Sequence, residues 1–433
     1  MKIIHTADIH IGVENYGRPA TEDDIEKLPK YFSPGVDRSE YIGFSTRLLD
    51  FLSTFDYMVN YALENDADLF ILAGDAYKAR NPSQTHQREF ARRISRLVKE
   101  GGIPVFSVIG NHDAPQMAGR ATSLEIFPTL EAENVYIADQ LRTYKVPTRK
   151  GTIQLLALPW IKRAAFLARD ETRDLNIEQI TNMLEERINM LLDKEVSGLS
   201  SSLPTILCGH ITASSASAGS ERNMMLGKDH TILLGKLANP IFDYVALGHI
   251  HKHQILSYHP MVTYSGSIQR VDFSEEKEEK GFCVIELDPT LPAGQRLKNF
   301  HFEKVNARSF QTIDVTITSD EDPTPKTENV ISNRSVEDAI VRLRVTMPKR
   351  SLAAFDETYI RNLLSAAHQV SIKTILEDPT KSIRLKLESS KNISPINLLT
   401  QYLESTNLPE ERITVLKDYA NQLINESNET DDI

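Results

Sequence analysis

Cysteine is nearly missing from this chain: its 433 residues hold only Cys208 and Cys283, far apart and with no Cys-x-x-Cys partner. That excludes a disulfide framework and a cysteine-ligated zinc site, and a reducing interior is the simpler compartment. No apolar run approaches the roughly 18 residues of a membrane helix, and Met1 to Asp8 reads as a short buried strand, not a leader. A cytoplasmic protein without signal peptide or membrane span is the expectation. Repeats of fixed period are absent, as are low-complexity tracts beyond short loops. Positive charge is in deficit, with 49 Lys plus Arg against 60 Asp plus Glu and a net charge of −11. The whole surface therefore cannot be a coat for polyanions, and any nucleic-acid contact must be local.

With 40% apolar residues, the chain can bury a sizeable core in two to three domains of roughly 100–200 residues each. Its first two-thirds alternates short apolar runs with helical patterns, the signature of an α/β sheet. Strands are read at Ile3-Ile4, 69–72, 104–108, 153–156, 205–208 and 244–247. An amphipathic helix over 46–64 carries Leu48, Leu49, Leu52, Phe55, Val59, Ala62 and Leu63 on one stripe. Further helices are read near 86–100 and 177–193. The pattern changes at Asp288-Pro289-Thr290-Leu291-Pro292, which suggests domains at 1–287, 288–391 and 392–433. Beyond 309 the apolar residues alternate as in a half-exposed sheet: Ile313, Val315 and Ile317, then Val341, Leu343 and Val345, then Ile383, Leu385 and Leu387. A helix is expected over 357–368 and a mobile loop over Ser319 to Asn329. Two terminal helices start near Ser394-Pro395 and Leu408-Pro409-Glu410, and Ile413, Leu416, Tyr419, Ala420 and Leu423 stripe the last.

Five short motifs fall at or just after the carboxyl ends of predicted strands, where ligands collect in open α/β sheets. They are Asp8-Ile9-His10, Gly74-Asp75, Gly110-Asn111-His112-Asp113, Gly209-His210 and Gly248-His249-Ile250-His251. Taken singly, each is an ordinary turn or cap. Jointly they gather His10, His112, His210, His249 and His251, five of the twelve histidines, and that clustering points to metal. A phosphodiester is an anion attacked by an anion, so a site for its hydrolysis must neutralise charge and supply hydroxide. Two divalent cations about 3.5–4 Å apart do both. Asp8 and Asp75 would offset only two of the four positive charges, leaving a net positive pocket for phosphate. Imidazole, carboxylate and amide ligands together suit manganese, iron or zinc better than magnesium.

These motifs resemble the calcineurin-like metallophosphoesterase set. Their flanks, His5-Thr6-Ala7-Asp8-Ile9-His10-Ile11-Gly12, Gly74-Asp75-Ala76-Tyr77 and Tyr264-Ser265-Gly266-Ser267, are similar to the SbcD-type nuclease subunits of double-strand-break repair. The likeness is strong over about residues 1–285. It implies a β-sandwich flanked by helices, a small α+β DNA-capping domain and a C-terminal helical pair that docks on an SbcC-type coiled-coil ATPase. It implies two Mn2+, one on Asp8, His10, Asp75 and His251 and the other on Asp75, Asn111, His210 and His249. His112 would contact the scissile phosphate, with Asp113 holding its ring. The implied activity is 3′→5′ exonuclease and single-strand or hairpin endonuclease cleavage of DNA. The implied assembly is a homodimer within a heterotetramer, with 46–64 and 86–130 contributing to the dimer.

The chain departs from that pattern at Lys78, where relatives often carry an acid or His. A long segment over 13–45 is a second departure, open to reading as a DNA-path wall, a dimer surface or a solvated loop. His5 fits packing better than ligation, and His253 is left out of the site. Ser214 to Ser220 reads equally as a cover over the site or a plain connection. Residues 330–391 hold 11 Lys plus Arg against 7 Asp plus Glu. There Arg342, Arg344, Arg384 and Lys386 are candidates to track a phosphate backbone, or simply a solvated face.

Overall fold

The computed structural model describes residues 1–115, 119–161, 176–217, 231–377, 399, 403 and 412–420. It forms two compact units, one of Met1–Gln311 with Asp338–Ile340 and one of Thr312–Glu337 with Val341–Ile433. No helix among the described residues is long and apolar enough to cross a membrane.

The first unit is built on two six-stranded sheets. One runs Leu297–Lys304, Gly281–Leu287, Lys2–Thr6, Leu69–Leu72, Val105–Val108, Val135–Ala138. The other runs Gln254–Tyr258, Met261–Tyr264, Tyr244–Gly248, Thr205–His210, Gly151–Leu158, Arg142–Thr148. The inner strands of each sheet pair in parallel. Parallel strands are covered on both faces and so read as unbroken apolar runs. Ile3, Leu69, Ile71, Phe106 and Val108 face Leu155, Ile206, Cys208, Tyr244 and Ala246 between the sheets. Their sequence neighbours point outward, as the two-residue period of a strand requires. Ile4, Phe70 and Leu72 pack on the helices Thr46–Glu64 and Gln84–Lys99. Leu156, Leu207, Val245 and Leu247 pack on the helix Ile177–Ser197. The expected sandwich flanked by helices is present.

Two expectations about this unit need correction. The division suggested at 287/288 is a hairpin: Leu297–Lys304 returns to pair antiparallel with Gly281–Leu287, so the compact unit continues to Gln311. Proline there breaks the strand without ending the domain. Nor is 13–45 a solvated loop. It buries Ile25, Phe32 and Tyr41 in the core that holds the helix Thr46–Glu64. Tyr41 donates to Glu89 and to Ser33, while Arg93 joins Asp56, Glu89 and Ser33 in one buried network.

In the second unit a three-stranded sheet orders Phe310–Thr316, Ile340–Pro348 and Gln369–Glu377. Ile313, Val315, Val341, Leu343 and Val345 are buried, as their alternation predicts. The segment expected as a mobile loop contains the helix Pro323–Ser332, started by Asp322, whose side chain accepts from the Thr324 N–H, with proline in the first turn. The helix expected over 357–368 is shorter, Glu357–Leu363. Ile383, Leu385 and Leu387 lie outside the described residues, as do the expected starts at Ser394-Pro395 and Leu408-Pro409. Residues 412–420 are helical.

Candidate metal centre

The seven proposed ligands arrive from both sheets. Asp8 and His10 follow the strand Lys2–Thr6, Asp75 follows Leu69–Leu72, and Asn111 follows Val105–Val108. His210 ends Thr205–His210, while His249 and His251 follow Tyr244–Gly248. The structure brings all seven together. His10 Nε2 lies 2.9 Å from His251 Nε2, 4.0 Å from Asp8 Oδ1 and 3.8 Å from Asp75 Oδ2. Asp75 Oδ2 is also 3.4 Å from His210 Nε2, so one carboxylate oxygen faces both histidines. Asn111 Oδ1 lies 2.9 Å from His210 Nε2 and 3.0 Å from His249 Nδ1. Asp8, His10 and His251 form one group able to hold an ion, and Asp8, Asp75 and His210 another.

The backbone is strained to achieve this. Among the described residues, ten that are not glycine have positive φ, and they include Asp8 (51°), His10 (49°), Asp75 (56°) and His249 (97°). Such conformations cost about 1–3 kcal/mol each and persist where surrounding structure enforces them. Two glycines admit the approach. A Cβ on Gly74 would run into the His210 ring, and one on Gly110 into the Asp75 carboxylate.

The donor set fits divalent cations. His210 Nδ1 donates to the Ala73 carbonyl at 2.7 Å and His251 Nδ1 to Glu275 Oε1 at 2.7 Å. Each ring therefore turns its Nε2 inward, the orientation that a hydrogen bond at Nδ1 gives a metal-binding histidine. Lone pairs of Asp8, Asp75, Asn111, His10, His210 and His251 meet with no Lys or Arg ion-paired to either carboxylate among the described residues. Protons partly fill the deficit. Burial alone would depress His210, but Asp75 and Asp8 outweigh it and push the imidazole up to about 9. Burial lifts the Asp8 carboxyl to about 6 against the pull of His210 and His251. Burial works against the Asp75 anion too, yet His210, His112 and His10 hold it well below the usual range. Cation binding would displace such protons.

His112 stands at the edge of this cluster, its ring 5.0 Å from that of His10. Asp113 does not hold it. The Asp113 carboxylate instead accepts the backbone N–H groups of Asp75, Ala76, Tyr77 and Gly110, so it fixes the loop that aims Asp75. Burial and the nearby Asp75 push this carboxyl up to about 7, while the N–H groups of Gly110 and Tyr77 pull it down. The ring of His112 is fixed by the Lys78 carbonyl, 2.8 Å from Nδ1. Burial lowers the His112 pKa and the Lys78 charge adds to the effect, partly opposed by Asp75. His112 N also donates to Asp75 Oδ1 at 2.8 Å.

Sequence reasoning passed over three neighbours. Trp160 packs 5.1 Å from the His249 ring and 6.3 Å from that of His210. Glu275 and Lys280 are both buried beneath His251. His5 is packed as expected, with Tyr244 Oη 2.9 Å from Nδ1. His253 stacks on Phe302 with ring centroids 3.8 Å apart, away from the ligand set. Of the Ser214–Ser220 stretch, only 214–217 is described; Ser214 N bonds to Ile232 O and Ser217 N to Gln254 Oε1, the pattern of an anchored connection.

Two facing sheets with candidate metal donors gathered at the carboxyl ends of their strands define a class. The chain belongs to the calcineurin-like phosphoesterase family, whose model matches residues 1–253. In sequence it is similar to the SbcD component of the SbcCD nuclease from Staphylococcus epidermidis, with 26% identity over 289 residues. That match spans 66% of this chain and 66% of the relative, just under two thirds of its length. Among solved structures, a Thermus thermophilus protein aligns over 70% of this chain and 98% of its own at 13% identity and TM-score 0.33. A dimetal phosphatase from Danio rerio aligns over 66% and 92% at 11% identity and TM-score 0.32.

Proposed function

We propose that the chain is a manganese-dependent DNA nuclease that uses two cations, and that it serves as the nuclease subunit of an SbcCD-type, ATP-regulated complex. The observation that carries this reading is the convergence of seven donors from two sheets on one point, with Asp75 Oδ2 facing the histidines of both halves. The name of the Staphylococcus relative supports DNA as the substrate. Bound divalent cations supply charge neutralisation and a nucleophile at neutral pH. Asp8, His10, Asp75 and His251 would hold one, and Asp75, Asn111, His210 and His249 the other.

The chain's own residues do the rest. Nδ1 of His112 keeps its proton on the Lys78 carbonyl, so proton exchange with substrate occurs at Nε2. Because burial and Lys78 disfavour imidazolium there, a proton at Nε2 is readily given to a departing oxygen. Asp113 positions Asp75 through the peptide N–H groups and touches no substrate. Cleavage in the 3′→5′ direction and opening of single strands or hairpins belong to the same reading.

The second unit is the DNA-capping element. On its sheet Arg344 is neutralised by Asp314 at 2.5 Å and Arg342 donates to Thr312, so those two are poorer phosphate contacts than their sequence positions suggest. Arg384 and Lys386 lie outside the described residues. Val415, Leu416 and Tyr419 are exposed on the helix over 412–420, as a segment docking on a coiled-coil ATPase requires. The apolar stripe of 46–64 is taken up by the chain's own core, which leaves exposed Ile126 and Leu130 as the apolar part of a homodimer surface.

The test pairs the protein with a His112→Ala variant, manganese, end-labelled duplex DNA and p-nitrophenyl phosphate. Degraded DNA with the protein and intact DNA with the variant is the expected result. Rapid turnover of the small ester with untouched DNA would make the chain a phosphatase or small-diester hydrolase instead. Deleting 394–433 is expected to abolish co-purification with the ATPase and to leave manganese-dependent cutting of single strands.

A further inference from the structure

Beneath the ligand cluster lies a buried ion pair that the reaction does not itself require. Glu275 and Lys280 have fully buried side chains 2.7 Å apart. Glu275 ends the turn Phe273–Glu275, seated on the aromatic cluster of Tyr16, Phe273 and Phe310. Its Oε1 accepts from His251 Nδ1 at 2.7 Å and its Oε2 from the Val271 N–H at 3.1 Å. Lys280 Nζ donates to the carbonyl oxygen of the same His251 at 3.1 Å, to Ser267 Oγ at 2.9 Å and to Glu278 at 2.8 Å. His251 is thus gripped at its ring by the anion and at its backbone by the cation. His10 differs, since its Nδ1 is buried with no hydrogen-bond partner among the described residues.

We propose that Glu275 and Lys280 are positioning residues for His251, and that they set the affinity of one cation, the one shared with Asp8 and His10, without governing the other. The proposal rests on the two-cation reading above. A carboxylate on Nδ1 fixes the tautomer in which Nε2 carries the lone pair, orients the ring and raises its basicity as a ligand. Loss of such a partner typically costs 10–100-fold in metal affinity. Lys280 acts through Glu275: it pairs with the Oε2 side of the carboxylate at 2.7 Å and so holds Oε1 toward the ring. His210 draws its equivalent bond from the Ala73 carbonyl instead, so the second cation does not depend on this pair.

The experiment is a calorimetric titration of the full chain with MnCl2, together with a count of manganese retained after desalting. The protein is expected to bind two ions. Glu275→Gln is expected to retain one at the original affinity and to bind the other 10–100-fold more weakly. Should the loss of one of the two Lys280 carboxylate partners prevent folding in that variant, Glu275→Ala with Lys280→Met removes both charges and is expected to show the same one-site loss. Glu89→Gln, which disturbs a buried ion-pair network elsewhere, is the control for a merely structural effect and is expected to leave both affinities unchanged. Two sites of unaltered affinity in the Glu275 variants would overturn the proposal, as would equal weakening of both. Failure of the unaltered protein to bind any manganese would instead defeat the two-cation reading on which it stands.

Discussion

Two regions of the first unit bury carboxylates, and they are built oppositely. Asp56 and Glu89 sit in regular helices and are met by Arg93, with Arg92 and Arg96 at the margin. Asp8 and Asp75 sit on loops with positive φ and, among the described residues, are met by histidines and backbone N–H groups. Burying a charge is expensive unless it is paired. The first region meets that condition inside the chain, whereas the second leaves its lone pairs pointing at a common space. The difference separates a network that holds elements together from one arranged around something to be bound.

The comparison can be broken most severely at Asp8. Asp8→Asn keeps the shape and tolerates the left-handed backbone, yet removes a charge from both candidate groups. Turnover is expected to fall by about 10³-fold or more, while the thermal midpoint of the metal-free protein stays or rises; calorimetry and a DNA-cleavage assay read the two effects. Arg93→Met tests the other region. It strands Asp56 and Glu89 and is expected to lower stability by about 3–5 kcal/mol in denaturant titration, with manganese affinity intact. A loss of manganese binding there would mean that the two regions are not independent.

A sharper cut is His112→Gln. Because His112 is assigned no role as a ligand, kcat is expected to drop by about 10²-fold with both cations still bound. The smallest effect concerns His5, a buried imidazole kept neutral, since burial lowers its pKa to about 3. The unfolded chain binds the extra proton between about pH 3 and 6.5, so stability falls as pH drops through that window. His5→Gln is expected to make the decline shallower by about 1.4 kcal/mol per pH unit, read from unfolding curves at pH 4 to 6.

The seven candidate donors were legible in the sequence because they are local: each lies within four residues of a strand end. Strands such as Leu69–Leu72 were legible because burial on both faces writes them as unbroken apolar runs. What escaped depends on contacts distant in sequence. Glu275 and Lys280 lie in Ser274-Glu275-Glu276-Lys277-Glu278-Glu279-Lys280, which reads as a solvated charged loop until the fold turns two of its members inward. Asp113 stands next to His112 in the chain, and that adjacency misled, for its carboxylate serves four peptide N–H groups. The helix Pro323–Ser332 did carry its signal, Asp322-Pro323, but the polar composition around it masked the start. The packing of 13–45 could not be read, because Phe32 and Tyr41 are buried in a core shared with the helices Thr46–Glu64 and Gln84–Lys99, the second of them distant in sequence.

The division of ligands between two sheets has a mechanical result. Any ion seated there staples one layer of the sandwich to the other, so chelation should loosen the seam, and the melting temperature should climb with added manganese as binding to the native state alone demands.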